Sequence, residues 1–555
     1  MKNSRRNDGF GIKRAQQPVL WALALAACNG SAWAGSFELG PTLSGQYTLT
    51  LGYAAAVRTE RAADELANGP IDPATGLPTT ANFDDGDRNF KRGALVNNRV
   101  SALGELFLNG RNYGLVLRGD AFYDDVYNRS NDNDSPGTVN KAGANDEFTD
   151  AAERRNGARV RLLDAYAYGD FSLGSMARLN ARLGRQVVAW GESLFFSGMA
   201  SVQGPADATK ANVPGAELKN ILLPVEQIAL QLGLNDRLSL MGYYRLAYKP
   251  TELEPAGSYF STSDIVGPGA EFLYVFANPA AGLPGAPPVI VAPRGDDIEP
   301  SDHGQWGVGF KYQLTSATNV GLYRLRYHNT NPSVQINLGF AELAPGVTTD
   351  PTLVPVSYNI RYFDGIEMTA ASFSTRVGAA NVAGELSYRD GVDMLVNTVA
   401  GPTSSRGGLT QLLLSSLITV SPNALSQQID LIGEAGYVRA NGIDAVMGSK
   451  ELSGDRESWA VSGIATLNYR NVFPRWDLAV PITYSTIVEG TPAMSGSFGA
   501  LYGEHDQRAS IAANFTYLQN LQLGVSYNAF LGSPSLSERP YADRDYAAVS
   551  VKYSF

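Results

Sequence analysis

Apolar and polar residues alternate with period two along most of the chain, most plainly at its end. Between Asp545 and Phe555, Ala547, Val549, Val551, Tyr553 and Phe555 fall on one face and Ala548, Ser550, Lys552 and Ser554 on the other. A strand in a membrane barrel reads this way, because one face meets lipid and the other a polar interior. Upstream, such strands come in pairs joined by a tight turn and followed by a long polar segment. Ile228 to Leu234 turns at Asn235-Asp236 into Leu238 to Tyr248, and Trp306 to Leu314 turns near Thr315 to Asn319 into Tyr323 to Tyr327. The same unit recurs around Asn471 to Arg475 and around Gln519-Asn520. Short turns on one side and long loops on the other are the asymmetry of an outer-membrane barrel, whereas a secreted β-sandwich has no reason to keep it.

The expected fold is all-β, a closed antiparallel transmembrane β-barrel over residues 35–555. About 17 candidate strands can be counted, and bacterial single-chain barrels use even numbers, so about 16 strands are expected, within a range of about 14 to 18. Segments 249–302, 329–356, 392–426 and 489–505 are read as long outer loops. The terminal Phe555, with Tyr553 and Val551 at two-residue steps, also resembles the signal that Gram-negative bacteria present to their barrel-assembly machinery. Localisation in the cell outer membrane, in contact with its lipid, follows as an expectation.

Residues 185–224 break the alternation. Pro205, Pro214 and Pro224 with several glycines exclude a wall strand there. Trp190, Phe195, Phe196 and Met199 concentrate apolar side chains in this segment, so it is expected to fold inward as a loop or plug, the alternative being a loop packed under its own aromatic cover at the rim.

The N-terminus adds a processing segment. Lys2, Arg5, Arg6, Lys13 and Arg14 precede an apolar stretch from Val19 to Ala27, and Ala32-Trp33-Ala34 has the small residues that a signal peptidase reads. Residues 1–34 are read as a secretory signal peptide; Leu25-Ala-Ala-Cys28 also matches a lipoprotein box, which leaves lipidation of Cys28 open. The stretch is shorter than the roughly 20 apolar residues of a spanning helix.

Composition changes the picture only by exclusion. The chain is 44% hydrophobic with 58 Gly and 27 Tyr, which suits close-packed strands and aromatic girdles. Its net charge is -10, and losing residues 1–34, with five basic residues and Asp8, makes it more acidic still, which disfavours nucleic-acid binding.

Arginines flank the apolar stripes: Arg178 and Arg182 beside Leu179, Ala181 and Leu183; Arg324 and Arg326 beside Tyr323, Leu325 and Tyr327; Arg118 and Asp120 beside Leu115 and Leu117. A cation costs about 2–4 kcal/mol at the lipid midplane of a barrel wall, so these groups are expected to line the lumen. They form either an anion-attracting passage or buried pairs with carboxylates such as Asp120, Glu105, Asp164 and Glu385; cross-strand register, which would decide, is not legible here.

No enzyme is expected. The three histidines, His303, His328 and His505, fall in loops or at a strand end; Ser510 and Asn514 near His505 form no recognised triad, and no nucleophile elbow is present. No cofactor is expected. Paired cysteines and closely spaced histidines are absent, which leaves no zinc set. Asp84-Asp-Gly-Asp87-Arg-Asn89 and Asp132-Asn-Asp134 carry oxygen ligands without an EF-hand pattern, and are read as solvated acidic loops, with no metal.

Several segments together resemble the proteobacterial outer-membrane family catalogued as domain of unknown function thirteen-oh-two: Asn82 to Phe90, Arg118 to Asp124, Leu162 to Tyr166, Gly184 to Ser193 with Trp190, Gly191, Glu192 and Ser193, then Pro214, Gly215 and Glu217 within Pro214 to Lys219, and Gly257 to Thr262. Asn220 stands where an acidic residue is expected. The resemblance implies an outer-membrane barrel, often encoded beside a periplasmic companion and an inner-membrane transporter of the resistance-nodulation-division type. It implies no substrate and no catalytic residues. The expected function is a conduit for hydrophobic or amphipathic small molecules, carboxylate-bearing ones included; the alternatives are an export partner of a periplasmic carrier and inner-membrane pump, and a plugged structural or adhesive barrel.

Overall fold

The first and last long strands pair with each other, so the main sheet closes on itself and leaves no free edge. The computed structural model describes residues 35–399, 401–422 and 424–555; the expected signal peptide, with Cys28, lies outside the described residues. Among the described residues the closed ring has 18 strands. They are β1 Ser44–Arg58, β2 Leu95–Asn109, β3 Tyr113–Asp124, β4 Ala158–Leu173, β5 Ala177–Gln186, β6 Val225–Gly233, β7 Leu238–Arg245, β8 Trp306–Gln313 and β9 Thr318–Tyr327. The ring continues through β10 Ile366–Val377, β11 Ala380–Thr398, β12 Gly401–Val420, β13 Gln428–Ile443, β14 Glu457–Phe473, β15 Trp476–Glu489, β16 Gln507–Tyr517, β17 Leu521–Leu531 and β18 Tyr546–Ser554. Each pairs antiparallel with its neighbour, and β18 returns to β1 with Val551 opposite Tyr53.

The strand count exceeds the expected 16 and stands at the upper end of the expected range of about 14 to 18; β12 and the outer part of β11 lie where a loop was expected. Both strands run through the segment 392–426, which the sequence reading assigned to a long loop. The reason is a pair of bulges, between Asp390 and Val392 and between Gly407 and Leu409. A bulge inserts one residue and flips the parity of everything beyond it. Below the bulge Glu385, Ser387 and Arg389 are buried, and above it Val392, Met394 and Val396 are, so a single period-two register does not fit the strand.

One end of the barrel carries short turns, such as 110–112, 174–176, 378–379 and 474–475, and the other carries the long loops 59–94, 125–157, 187–224, 246–305, 328–365, 490–506 and 532–545. In barrels of this type the short-turn end is periplasmic. Val308, Leu322, Leu414, Ile482, Val525 and Val549 are exposed on the outer surface, as lipid contact requires. No helix among the described residues is long and apolar enough to cross a membrane.

The interior is not uniformly polar. Loops 187–224 and 490–506 enter it and form a dry core with inward wall residues: Phe196, Met199, Phe498 and Leu501 pack with Leu325, Met368, Leu413 and Ile487. A second cluster, with Phe90, Tyr127, Tyr259 and Tyr546, binds the outer loops together over β18.

Candidate functional site

The inward loop is built from backbone that cannot pair as a strand and is satisfied instead by wall carboxylates. Glu434 on β13 accepts the backbone N–H groups of Leu194, Phe195 and Phe196 at 3.0, 2.7 and 2.9 Å. Glu385 on β11 accepts those of Glu192, at 3.1 Å, and Met199. Gly191 has φ +122, and a Cβ there would lie 2.6 Å from the Glu385 carboxylate; only glycine allows both that conformation and that approach. Arg389 donates to the Ser197 carbonyl at 2.8 Å and to Gln411 at 2.7 Å. Trp190 sits edge-on to Tyr243, with ring centroids 5.0 Å apart, and its backbone is held at both ends by the Gln203 amide. Gly307 opens the room for this contact, since a Cβ there would meet Tyr243 and Trp190.

The loop returns along the opposite wall and is held there by charge. Asp207 accepts from Arg159 at 2.6 Å and Arg161 at 2.7 Å, both on β4. Glu252 pairs with the same two arginines at 2.7 and 2.9 Å, and Lys210 pairs with Asp120 of β3. Further on, Glu217 meets Lys552 of β18 at 2.9 Å and Lys219 reaches Glu105 at 3.5 Å. Pro214 and Gly215 lie over Ser550 and Lys552 in a cavity of about 100 Å³ that Phe122 and Lys210 also line. A second cavity, of about 170 Å³, lies where Ser197, Val202 and Gly204 face Tyr327, Arg389 and Met494. The loop thus touches the wall on both sides of the lumen.

The motif residues Trp190, Gly191, Glu192 and Ser193 therefore sit on the first crossing, and Pro214, Gly215 and Glu217 on the return. Of the expected lumen charges, Arg118 faces inward and is paired with Asp164 at 2.6 Å, and Asp120 faces inward between Arg161 and Lys210. Arg178 and Arg182 share the inward face of β5; Arg182 donates to Asn180 at 3.2 Å and lies 6.0 Å from the Tyr166 ring centre. Among the described residues neither has a carboxylate partner.

Arg324 and Arg326 do not line the lumen. Tyr323, Leu325 and Tyr327 are buried toward the interior core, whereas Leu322, with the same parity as Arg324, is 61% exposed outside. Arg324 pairs on the outer face with Glu367 and donates to Thr369 at 2.6 Å, near the long-loop end of β9. Apolar-outward parity failed here because the lumen beside β9 is filled by an apolar loop. Near the interface a charge on the outer face costs only about 0–1 kcal/mol.

Arg159 and Arg161 were missed, although Val160 and Leu162 alternate with them in the same pattern used for β5. Glu385 stood among the expected arginine partners, but it accepts backbone N–H groups of the inward loop instead, and Glu434 carried no signal, since in both cases the partners lie more than 180 residues away.

Of the histidines, His328 Nδ1 accepts from the Gly365 N–H at 2.9 Å and its Nε2 lies 3.0 Å from the His303 carbonyl, latching two outer loops. Ser510 pairs with Thr483 at 2.6 Å. The acidic stretch 84–89 is not a solvated loop: Asp84, Asp85 and Asp87 are buried. Asp87 takes Arg58 at 3.0 Å and Arg544 at 2.8 Å. Asp84, Asp85 and Asp264 gather carboxylate oxygens within 4.8 Å of one another. Burial pushes Asp84 up to about 7 and Asp85 up to about 6, and burial beside those two lifts Asp264 well above the usual carboxylate range.

The family model described as protein of unknown function (DUF1302) matches residues 17–555. The chain belongs to this family. No curated protein matches this DUF1302 chain. Among solved structures, it is similar to Acinetobacter baumannii OccAB4 at 9% identity and TM-score 0.43, over 92% of this chain and 98% of that one. It is similar to Pseudomonas aeruginosa OpdK with vanillate at 10% identity and TM-score 0.40, over 92% and 98%. Salmonella typhi OmpF in complex with daunomycin matches at 10% identity and TM-score 0.38, over 94% and 100%.

Proposed function

We propose that this DUF1302 chain resides in the outer membrane as a conduit for small amphipathic molecules, with loop 187–224 setting the constriction. The observation that carries the reading is the loop itself: a segment crossing the lumen on carboxylate-held backbone, with a cavity against each of the walls it touches. Trp190 and Phe195, which are only partly buried, offer apolar surface to the body of a ligand, while Phe196 and Met199 are buried beneath them in the apolar core. Arg178 and Arg182, inward-facing and unmatched by carboxylates among the described residues, support the carboxylate-bearing substrate class.

Single-channel conductance of the purified mature protein in a planar bilayer, with reversal potentials in a salt gradient, tests this. Steady openings with anion preference are expected, and Trp190→Ala with Phe195→Ala is expected to raise the conductance. Currents unchanged in both variants would reject the loop as the constriction. Arg178→Gln with Arg182→Gln is expected to shift the reversal potential toward zero selectivity, while Arg324→Gln, altering an outer-face residue, leaves it unchanged. Equal effects of the two changes would remove these arginines from the path.

A plugged barrel has its own support, since Arg159, Arg161 and Lys210 are matched by Asp120, Asp207 and Glu252. A silent protein in the bilayer favours that reading, and directs the search to a periplasmic companion and an inner-membrane pump; sensitivity of a deletion strain to toxic compounds then separates export from a structural role.

A further inference from the structure

Three outer loops meet where the charge balance does not close. Asp84 and Asp85 come from loop 59–94, Asp264 from loop 246–305 and Asn140 from loop 125–157, and all four are buried. Asp84 has one cationic partner, Arg88 at 2.5 Å. Asp85 accepts from Asn133 at 3.1 Å, and Asp264 Oδ2 accepts the Asp85 N–H at 3.1 Å; among the described residues neither has an ion pair. Arg58 and Arg544, the nearby buried guanidiniums, are committed to Asp87 and Asp543. Lys141 lines the same pocket and turns its ammonium to the Ala144 carbonyl. Three carboxylates against one matched arginine leave two without a counter-charge, and keeping both ionised costs several kcal/mol per ion unless a cation compensates them.

The oxygens without partners are the second observation. Asp84 Oδ1 and Asp264 Oδ1 are buried without a hydrogen bond, and so is Asn140 Oδ1. The Asn140 orientation is fixed by its neighbours. The Asn82 amide is paired with the Tyr274 backbone through both of its ends, so its oxygen is the acceptor presented to Asn140. Asn140 must therefore spend its NH₂ on Asn82, at 2.7 Å, and on the Phe272 carbonyl, at 2.9 Å, which leaves its own oxygen unused. Asp85, Asn140 and Asp264 line one small cavity of about 10 Å³, the size of a single water or ion.

We propose that these residues form a Ca²⁺ site that staples loops 59–94, 125–157 and 246–305 over the barrel mouth. The donors are all hard oxygens, with no imidazole or thiolate, which selects Ca²⁺ or Mg²⁺ over transition metals. Ligands across a Ca²⁺ ion lie about 4.6–5.2 Å apart, twice the usual 2.3–2.6 Å bond, and the carboxylate oxygens here fall within 4.8 Å. A site assembled from three separate loops tolerates the irregular geometry of Ca²⁺ better than the strict octahedron of Mg²⁺.

The test uses the full mature protein in detergent, dialysed against chelator. Tb³⁺ is titrated with excitation through tyrosine, which Tyr274 provides beside Asn82, and is then displaced by Ca²⁺. Saturable luminescence, displaced by Ca²⁺ and not by equal Mg²⁺, is expected; Asp264→Asn and Asp85→Asn should each weaken Ca²⁺ at least tenfold, and Asp134→Asn, at an exposed neighbour, should not. Calorimetric titration of the wild-type protein with Ca²⁺ gives a readout that needs no variant. The proposal fails if the wild type binds no Ca²⁺ up to millimolar concentration, which would mean that protons neutralise the cluster. It fails equally if the folded Asp264→Asn protein binds Ca²⁺ as the wild type does.

Discussion

Glu434→Ala is expected to free the inward loop and raise single-channel conductance several-fold, or to open a barrel that is silent as wild type. Glu434 takes three successive backbone N–H groups, at Leu194, Phe195 and Phe196. Hydrogen bonds to a charged acceptor contribute about 1.5–3 kcal/mol each, so losing three costs on the order of 5 kcal/mol at one contact. The Glu385 and Arg389 contacts and the buried Phe196 and Met199 still hold residues 192–199, so the expected result is that the turn at 194–196 loosens from the wall. Glu434→Gln keeps the shape and one good acceptor, and should give a smaller change in the same direction. A cysteine placed at residue 195 gives an independent readout: it should react with a bulky thiol reagent in the Glu434→Ala background and resist it otherwise. Unchanged current together with a protected cysteine would show that the loop is held by its apolar packing and not by the carboxylate.

Asp87→Ala is expected to lower the unfolding temperature of the outer cap more than any other single substitution in the loops. Asp87 bridges Arg58 and Arg544, which are fully buried. Its removal leaves two guanidiniums to share Asp543, and breaking a buried pair by deleting one partner costs about 3–5 kcal/mol. The damage should be local. Arg58 ends a wall strand, whereas Arg544 belongs to loop 532–545 and donates to the carbonyls of Tyr259 and Ser261 in loop 246–305. Limited proteolysis should therefore nick residues 59–94 and 532–545 while the barrel still migrates as a folded, heat-modifiable band. An unchanged proteolysis pattern in Asp87→Ala would show that Asp543 alone satisfies both arginines.

Much of the wall was legible because lipid imposes a period of two. The faces of β18, the turns at 235–236 and 519–520 and the interruption from 185 to 224 all follow from single residues in order. Legibility ended where one of two things intervened. In β11 and β12 the bulges reverse the parity within a strand, so a continuous wall looked like a loop. At β9 the strand was seen but turned the wrong way, because Tyr323, Leu325 and Tyr327 pack on an apolar loop that has no sequence proximity to them.

The candidate site divides in the same manner. Trp190, Gly191 and Glu192 stood out in the chain as motif residues, and Arg159 with Arg161 was recoverable by the alternation already applied to Arg178 and Arg182. The partners were not recoverable. Glu385 and Glu434 are ordinary inward carboxylates until a distant backbone reaches them, and Asp264 joins Asp84 and Asp85 only when loops 59–94 and 246–305 fold together.

The sequence by itself determined that this chain makes an antiparallel barrel with short turns at one end, long loops at the other and a break in the wall after β5. Those features are local, because each residue meets lipid or lumen according to its own place in the strand. The tertiary structure alone decided which charges meet, which arginines face the lumen and which carboxylates are left without a counter-charge. Those are properties of register and of loops packed across the ring, and a period-two pattern is the same in every register.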